Sequence, residues 1–277
     1  MSLMAKQSCR KDKAISPAIS TVIITGAMMA LIAVALAFAS NFLVYRIAES
    51  EFNSAQQFMQ TIGLQIDDVA WVIGRTETAR HSSRYGDIAF ENALNYTIYI
   101  NTTTQVNQVL YTNTTGIICY NMPVSRYSIG NNFFKLIYPS SNNSFLLSGA
   151  SAPTARIFVV EKLPVKNSSF IRVVIVPTIR MLNLSIGDTD YIRLYLPILL
   201  EGESPERYES VTLTGKSLSK IGDSVTGIRI EVSFPMDELG FNNSFFRFPQ
   251  IVESITLANK TVELYVGGVD VALGVHA

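Results

Sequence analysis

The chain of 277 residues is long enough for one sizeable domain together with a separate helical element. Its formal net charge is zero and only 16% of its residues are charged, so no overall basic field favours nucleic acid as a partner. The zero conceals an asymmetry, because the first fourteen residues carry a net charge of +3 and the rest of the chain carries about −3.

A long uncharged stretch follows this basic start. From Ala14 to Tyr45, 32 positions contain no charged residue, whereas roughly 20 helical residues cross a bilayer. The basic residues in front of the stretch place the N-terminus in the cytosol and the bulk of the chain outside. A secretory signal with a short apolar core does not fit, because this stretch is too long and continues into more helix.

The continuation beyond Tyr45 is amphipathic. Its apolar residues recur at alternating spacings of four and three, with polar residues, including Asp67 and Asp68, predicted on the solvated faces. The apolar stripe comprises Ala48, Phe52, Ala55, Met59, Ile62, Ile66, Val69 and Ile73. The pattern predicts one helix from near Pro17, which is tolerated in a first turn, to near Gly74. The alternative is a plain signal-anchor followed by a stalk.

Small residues recur within the apolar stretch. Three small-xxx-small pairs, which let helix backbones approach closely, are Gly26 with Ala30, Ala33 with Ala37, and Ala35 with Ala39. A helix that packs against copies of itself uses such pairs, whereas a lone anchor in lipid has no need of them. Alanine is also a good helix former, which is the alternative explanation.

The residues at the start of the stretch carry a resemblance. Lys13-Ala14-Ile15-Ser16-Pro17-Ala18-Ile19 resembles the processing site of archaeal type IV pilin-like proteins, of the adhesion-pilin type with a class III signal peptide. The resemblance covers about residues 10–45. It implies that a prepilin peptidase cuts after Ala14, with Lys13 as the basic determinant and Ile15 as the mature N-terminus. The fifth mature residue is Ile19, where bacterial major pilins usually carry glutamate.

The resemblance also implies a function. Residues 1–14 would be a leader, and residues 15–74 a helix that anchors the precursor in the membrane and later forms a filament core. The implied partners are copies of the chain itself, a prepilin peptidase, an assembly ATPase and a membrane platform protein. The expected product is an extracellular surface filament for adhesion. Pilus and archaellum, and major and minor subunit, stay open.

The remainder of the chain is predicted to be a β-domain. After a polar junction over residues 75–94, twelve short β-rich runs alternate with glycine and proline, from NYTIYI (95–100) to TVELYVGG (261–268). We therefore expect an α+β protein, in which one long N-terminal hydrophobic helix precedes an all-β antiparallel sandwich, immunoglobulin-like or jelly-roll-like, over residues 95–277.

Glycosylation sequons are the second signal in this domain. Eight Asn-x-Ser/Thr sequons are present where composition predicts about three, and none precedes residue 90. They are the candidate N-glycosylation sites Asn95, Asn101, Asn113, Asn142, Asn167, Asn183, Asn242 and Asn259. Glycans there would shield sheet edges outside the cell. The alternative is that Asn, Ser and Thr are common in turns and exposed strands.

Catalytic and metal motifs are missing from the sequence. The only histidines, His81 and His276, have no cysteine or carboxylate cluster at metal-ligand spacing, and no nucleophile elbow or phosphate-binding glycine loop is present. Cys9 precedes the apolar stretch and Cys119 follows it, so we expect no disulfide. The sequence predicts neither an enzyme nor a cofactor or metal site.

A second function remains open. The same class of signal peptide would also serve a membrane-tethered extracellular binding protein, such as a solute- or sugar-binding ectodomain. That function requires a ligand cleft, and often a larger, two-lobed domain. A continuous β-pattern of about 190 residues favours the filament subunit over this alternative.

Overall fold

The computed structural model describes residues 17–187, 189–203 and 210–274. Within these ranges a long N-terminal α-helix precedes eleven strands, one further short α-helix and a single 3-10 turn (Asp237–Leu239), which confirms the predicted fold class. The helices are α1 (Pro17–Val69) and α2 (Asn243–Phe246). The strands are β1 (Thr76–Arg80), β2 (Asp87–Asn101), β3 (Gln108–Pro123), β4 (Phe133–Tyr138), β5 (Leu146–Ser148), β6 (Ala155–Glu161), β7 (Phe170–Pro177), β8 (Ile179–Ile186), β9 (Thr189–Glu201), β10 (Ser210–Ser233) and β11 (Val252–Leu273).

Helix α1 contributes to two compact units that divide between Ile47 and Ala48. It ends at Val69, five residues before the predicted Gly74. The amide of Val72 donates to the carbonyl of Val69 at 3.2 Å, a tighter turn than the α-helical spacing. Gly74 then adopts a φ of +82°, a left-handed conformation that glycine adopts without strain and that redirects the chain toward β1.

The predicted apolar stripe lies inside the second unit. Its residues from Ala48 to Val69 are fully buried, in a core shared with one face of β3, β6 and β7. Ile73, the last residue of the stripe, lies beyond the helix and is 65% exposed. The spacing of four and three therefore reflects packing on the chain's own sheet.

The strands form one hydrogen-bonded sheet whose two faces have different coverings. The order is β4-β6-β7-β3-β2-β10-β11-β9-β8-β5, and β1 pairs with β10 outside this path. Side chains alternate between the faces along β3: Ile118 and Tyr120 face α1, whereas Ile117 and Cys119 belong to a second core. This second core, called the inner core below, also contains residues from β9, β10 and β11. The backbone amide of Leu199 on β9 donates to Thr115 Oγ1 on β3, although these two strands are not neighbours in the sheet. The sheet therefore folds over and encloses the inner core.

Two strand pairs are parallel, β9 with β11 and β5 with β8, and the other pairs are antiparallel. Four of the predicted runs merge into two long strands, because β10 and β11 continue through Gly222 and other turn-forming residues. Breaks in register at 215/217 and 225/227 mark the irregularities. The segment 75–94, predicted as a junction, contains β1 and the first half of β2.

Two glycines of the sheet lie against the backbone at the C-terminal end of α1 and just beyond it. A Cβ atom on Gly215 of β10 would lie 2.3 Å from the backbone oxygen of Val72. A Cβ atom on Gly267 of β11 would lie 2.3 Å from the backbone oxygen of Ala70. The two backbones can approach this closely only where the strands carry no side chain. Gly215 also exchanges hydrogen bonds with Gly74 and Arg75, at 2.7 and 2.9 Å.

Candidate functional site

The first part of α1 presents an apolar surface without a cover. From Ile19 to Leu43 its large apolar side chains are between 54% and 75% exposed. α1 is also the one described helix that is long and apolar enough to cross a membrane. Arg46 is the first charged residue after the apolar stretch, and its guanidinium carbon lies 5.1 Å from the centre of the Phe42 ring.

Four small residues of this stretch lie on one helical face. Gly26, Ala30, Ala33 and Ala37 are separated by four, three and four residues, and all are exposed. A Cβ atom added to Gly26 would meet nothing within 4 Å. A second helix could therefore approach Gly26 closely without meeting a described side chain within that distance.

The predicted cleavage residues Lys13, Ala14 and Ile15 lie outside the described residues. Cleavage after Ala14 consequently stays a prediction. His276 and the side chain of Asn259 also lie outside the described part of the chain.

The other seven sequons differ in accessibility. Asn113, Asn142, Asn167 and Asn183 are exposed. Asn95 is only partly exposed, and its Oδ1 atom is buried without a hydrogen-bond partner among the described residues. The remaining two sequon residues, Asn101 and Asn242, use their side-chain oxygens to accept backbone amides of nearby residues.

A carboxylate on α1 organises the loop between β1 and β2. Glu51 Oε1 accepts hydrogen bonds from Ser83 Oγ at 2.5 Å, from Tyr120 Oη at 2.8 Å, and from the backbone amides of Tyr85 and Gly86 at 3.0 and 3.1 Å. Burial raises the pKa of Glu51, but these hydrogen bonds outweigh it and hold the pKa below the ordinary value of 4.5. A heptad pattern gives no signal for such a contact, because it only places Glu51 off the apolar stripe.

His81 lies beside this carboxylate and is only 8% exposed. Its ring stacks on Phe58 at 5.0 Å and meets Tyr120 edge-on at 5.4 Å. Burial lowers its pKa, while the charge of Glu51 acts in the opposite direction. The ring contacts of His81 are thus aromatic, and no group of three His, Cys, Asp or Glu side chains in the described ranges could hold a metal ion.

Asp67 is not on a solvated face, contrary to the prediction. Its Oδ2 atom accepts from Arg180 at 2.8 Å, and its Oδ1 atom accepts from Trp71 Nε1 and from Thr154 Oγ1 at 2.8 and 3.1 Å. The physical reason is that two of these partners, Arg180 on β8 and Thr154 in the β5–β6 loop, are distant in sequence, while Trp71 lies four residues further along the chain. Its neighbour Asp68 is exposed, as predicted.

A cleft of about 250 Å³ opens beside the inner core, between β2, β3 and β7. A polar row crosses these strands, since Asp87 pairs with Asn121 and Asn121 pairs with Arg172 in the registers of the sheet. Arg172 Nε donates to Asn121 Oδ1 at 3.1 Å, and Asn121 Nδ2 donates to Asp87 Oδ2 at 3.3 Å. At the rim, Lys166 Nζ contacts Glu91 Oε1 at 2.6 Å.

Burial controls the titration of this row. The Arg172 residue is 3% exposed, and burial lowers the pKa of its guanidinium. Asp87 is exposed as a residue, yet burial of its carboxyl raises the pKa of that group against the effects of Asn121 and Arg172. Burial raises the pKa of Cys119, on the cleft floor, to about 12, so this free cysteine stays a thiol. Sequence patterns carry no signal for the row, because its members lie 34 and 51 positions apart.

Comparison with known proteins adds no relative to this description. A scan against protein-family models, a search of curated proteins and a search of solved structures each found no match to the chain.

Proposed function

We propose that the chain is a non-enzymatic structural subunit of a surface filament resembling archaeal type IV pili. The observation that carries the proposal is the contrast along α1. From Ala48 to Val69 the apolar stripe is fully buried in the chain's own domain, whereas from Ile19 to Leu43 the large apolar side chains are exposed. The first part of the helix therefore requires a covering that the described residues do not supply.

The exposed apolar surface of α1 is too large for this part of the helix to remain in water. Thirteen large apolar side chains between Ile19 and Leu43 are exposed. Burying each contributes about 1.5–3 kcal/mol, so leaving them in water costs on the order of 20–40 kcal/mol. Lipid supplies the covering in a precursor, and sister helices supply it in a filament. The small-residue face at Gly26 and Ala33 favours helix packing as the final state.

Leader removal connects the two states. The first fourteen residues carry a net charge of +3, which is costly to bury in an apolar helical bundle. In the proposed sequence of events, a prepilin peptidase cuts after Ala14. An assembly ATPase and a membrane platform protein then move the helix from the membrane into the filament. The β-domain, with its sequons, is displayed outside the cell, and adhesion is the proposed role.

The N-terminus of the mature chain tests the processing step. Surface material is sheared from cells, the chain is purified, and its first residue is determined by mass spectrometry. The proposal requires Ile15; an intact leader contradicts it. Negative-stain imaging of the same material, with a deletion strain as the control, then decides whether the chain builds filaments or is released by detergent as monomers.

Two leader variants separate processing from insertion. Lys13→Glu and Ala14→Leu should leave uncut precursor in the membrane and abolish filaments. Lys11→Gln, which keeps the basic residue next to the cut, is the matched control and should mature normally. Normal filaments from either of the first two variants would refute the proposed processing site.

The tethered binding protein remains the second candidate. The cleft beside Asp87 and Arg172 is the observation in its favour, because a binding ectodomain requires such a feature. The filament subunit explains the small-residue face of the helix as well, which a permanent anchor does not use. Imaging separates the two, since a tethered protein forms no filament.

A further inference from the structure

The cleft between β2, β3 and β7 is lined by a buried arginine, Arg172, whose guanidinium has unused hydrogen-bond donors. Arg172 has five N–H donors. One makes a good bond to Asn121 at 3.1 Å, and two make long contacts with the carbonyls of Val165 and Phe170 at 3.3 and 3.5 Å. The remaining two donors have no partner among the described residues. The guanidinium of an arginine residue that is only 3% exposed rarely stays so poorly satisfied.

Acceptors face the same space. Asn121 has both ends of its amide occupied, by Arg172 and by Asp87. Asp87 Oδ1 and Glu91 Oε2 accept no hydrogen bond in the described part of the chain, although both residues line the cleft. The cleft thus offers free donors and free acceptors side by side.

The charge balance of the cleft selects a neutral ligand. Asp87 and Glu91 are balanced by Lys166 and Arg172, and all four line the cavity. An anion that bound the guanidinium would meet two carboxylates, and a cation would meet two positive groups. A hydroxyl group both donates and accepts, so neighbouring hydroxyls can satisfy both sets of atoms without adding charge.

Size and apolar surface narrow the ligand further. Drug-sized ligands occupy pockets of about 300–1,000 Å³, and this cleft measures about 250 Å³. Phe170, whose ring lies 5.2 Å from the Arg172 guanidinium, and Phe241 add apolar surface for the C–H face of a ring.

We propose that this cleft binds a single neutral sugar ring. Arg172 donates to a ring or hydroxyl oxygen of the sugar, while Asp87 and Glu91 accept from neighbouring hydroxyls. The inference goes beyond the filament proposal and does not depend on it, because both a filament subunit and a tethered protein can bind sugar through this cleft.

Saturation-transfer NMR tests the proposal on the full mature chain in dodecylphosphocholine micelles, a detergent without a sugar headgroup. The probes are the methyl glycosides of mannose, galactose and glucose, together with N-acetylglucosamine, acetate and methylammonium. We expect transfer to at least one sugar, with a Kd of about 1 mM, and none to the charged probes. Binding of acetate or methylammonium without any sugar, or binding of no probe, overturns the proposal.

Two variants locate the binding. Ala89 lines the cleft, so Ala89→Leu fills it without removing a polar group. Asp87→Asn keeps a carbonyl acceptor for Asn121 and removes the charge. Each should weaken sugar binding at least tenfold. Asp223→Asn, at an exposed position of β10 away from the cleft lining, should leave it unchanged. Sugar binding unchanged in Asp87→Asn, or in a folded Ala89→Leu, contradicts the assignment. Filaments should form normally in all three, so imaging keeps this result separate from the filament proposal.

Discussion

The phenol of Tyr120 on β3 donates a 2.8 Å hydrogen bond to the carboxylate of Glu51 on α1, across 69 positions of sequence. The same carboxylate oxygen holds the loop before β2 through Ser83, Tyr85 and Gly86. One side chain therefore joins α1, the β1–β2 loop and the central sheet. The contact lies just after the exposed part of α1, at the start of the buried stripe.

Replacement of Glu51 should weaken the domain in a pH-dependent way. Glu51→Gln removes the charge from four hydrogen bonds, and partial exposure limits the loss to about 1 kcal/mol at pH 7. The pKa of Glu51 is lowered on folding, so its contribution is fully present above the unfolded pKa and is lost as pH falls through the folded pKa.

Thermal unfolding of the full chain in micelles measures this effect. At pH 7 the variant should unfold about 2–4 °C below the unchanged chain, and the difference should shrink as the pH falls below the ordinary carboxyl pKa of 4.5. Glu77→Gln, on the exposed strand β1, is the control and should behave like the unchanged chain. A difference that grows on acidification would contradict the sign of the shift.

The adjacent pair Asp67 and Asp68 provides a matched comparison. Asp67→Ala removes the acceptor for Arg180, Trp71 and Thr154, and should cost about 1–3 kcal/mol. Asp68→Ala removes an exposed carboxylate and should stay within about 0.5 kcal/mol. Urea unfolding followed by Trp71 fluorescence in the Asp68 variant, and by circular dichroism in both, gives the two values. Equal losses would mean that the Arg180 ion pair contributes nothing.

Features of the fold that depend on local periodicity could be predicted from the sequence. The stripe from Ala48 to Val69 was correct because one face of a helix must be apolar to be buried, whatever it packs against. Its partner was not predictable, since spacing alone does not distinguish the chain's own sheet from another helix. Gly222 is one of the glycines that separate the predicted β-rich runs, yet it lies within β10, where pairing with β11 overrides the local preference.

Polar contacts inside the domain escaped prediction for a related reason. Arg156 is fully buried and donates to Asn143 and to the carbonyl of Phe246, at 2.6–2.9 Å. Burial lowers its pKa to about 9. In sequence it is simply the first charged residue of a strand-forming run. The row from Asp87 to Arg172 is equally invisible, because it exists only in the register of three strands.

The contact of α1 with β10 predicts a large effect from one methyl group. Gly215→Ala places a Cβ atom 2.3 Å from the backbone oxygen of Val72 and 2.6 Å from that of Val69, and backbone cannot move aside cheaply. We expect a loss of about 1–3 kcal/mol. Gly222→Ala is the control on the same strand, since its nearest atom would be 3.4 Å away. Similar unfolding midpoints for the two variants would show that the helix end shifts freely.

The small-residue face of α1 predicts a defect in assembly but not in membrane insertion. Ala33→Leu adds bulk on the face that contains Gly26, Ala30 and Ala37, and should prevent close approach of a second helix. Ala27→Leu adds the same bulk about 120° away from Ala33 on a helical projection, in a row with Ile23 and Leu31 and outside the small-xxx-small pairs, and serves as the matched control. Both chains should reach the membrane in equal amounts, measured by cell fractionation, because leucine favours lipid. Filaments counted by negative-stain imaging should then be at least tenfold fewer for Ala33→Leu than for Ala27→Leu. Equal filament numbers would remove the small-residue face from the assembly model, because a filament core that tolerates leucine at position 33 does not use close backbone contact there.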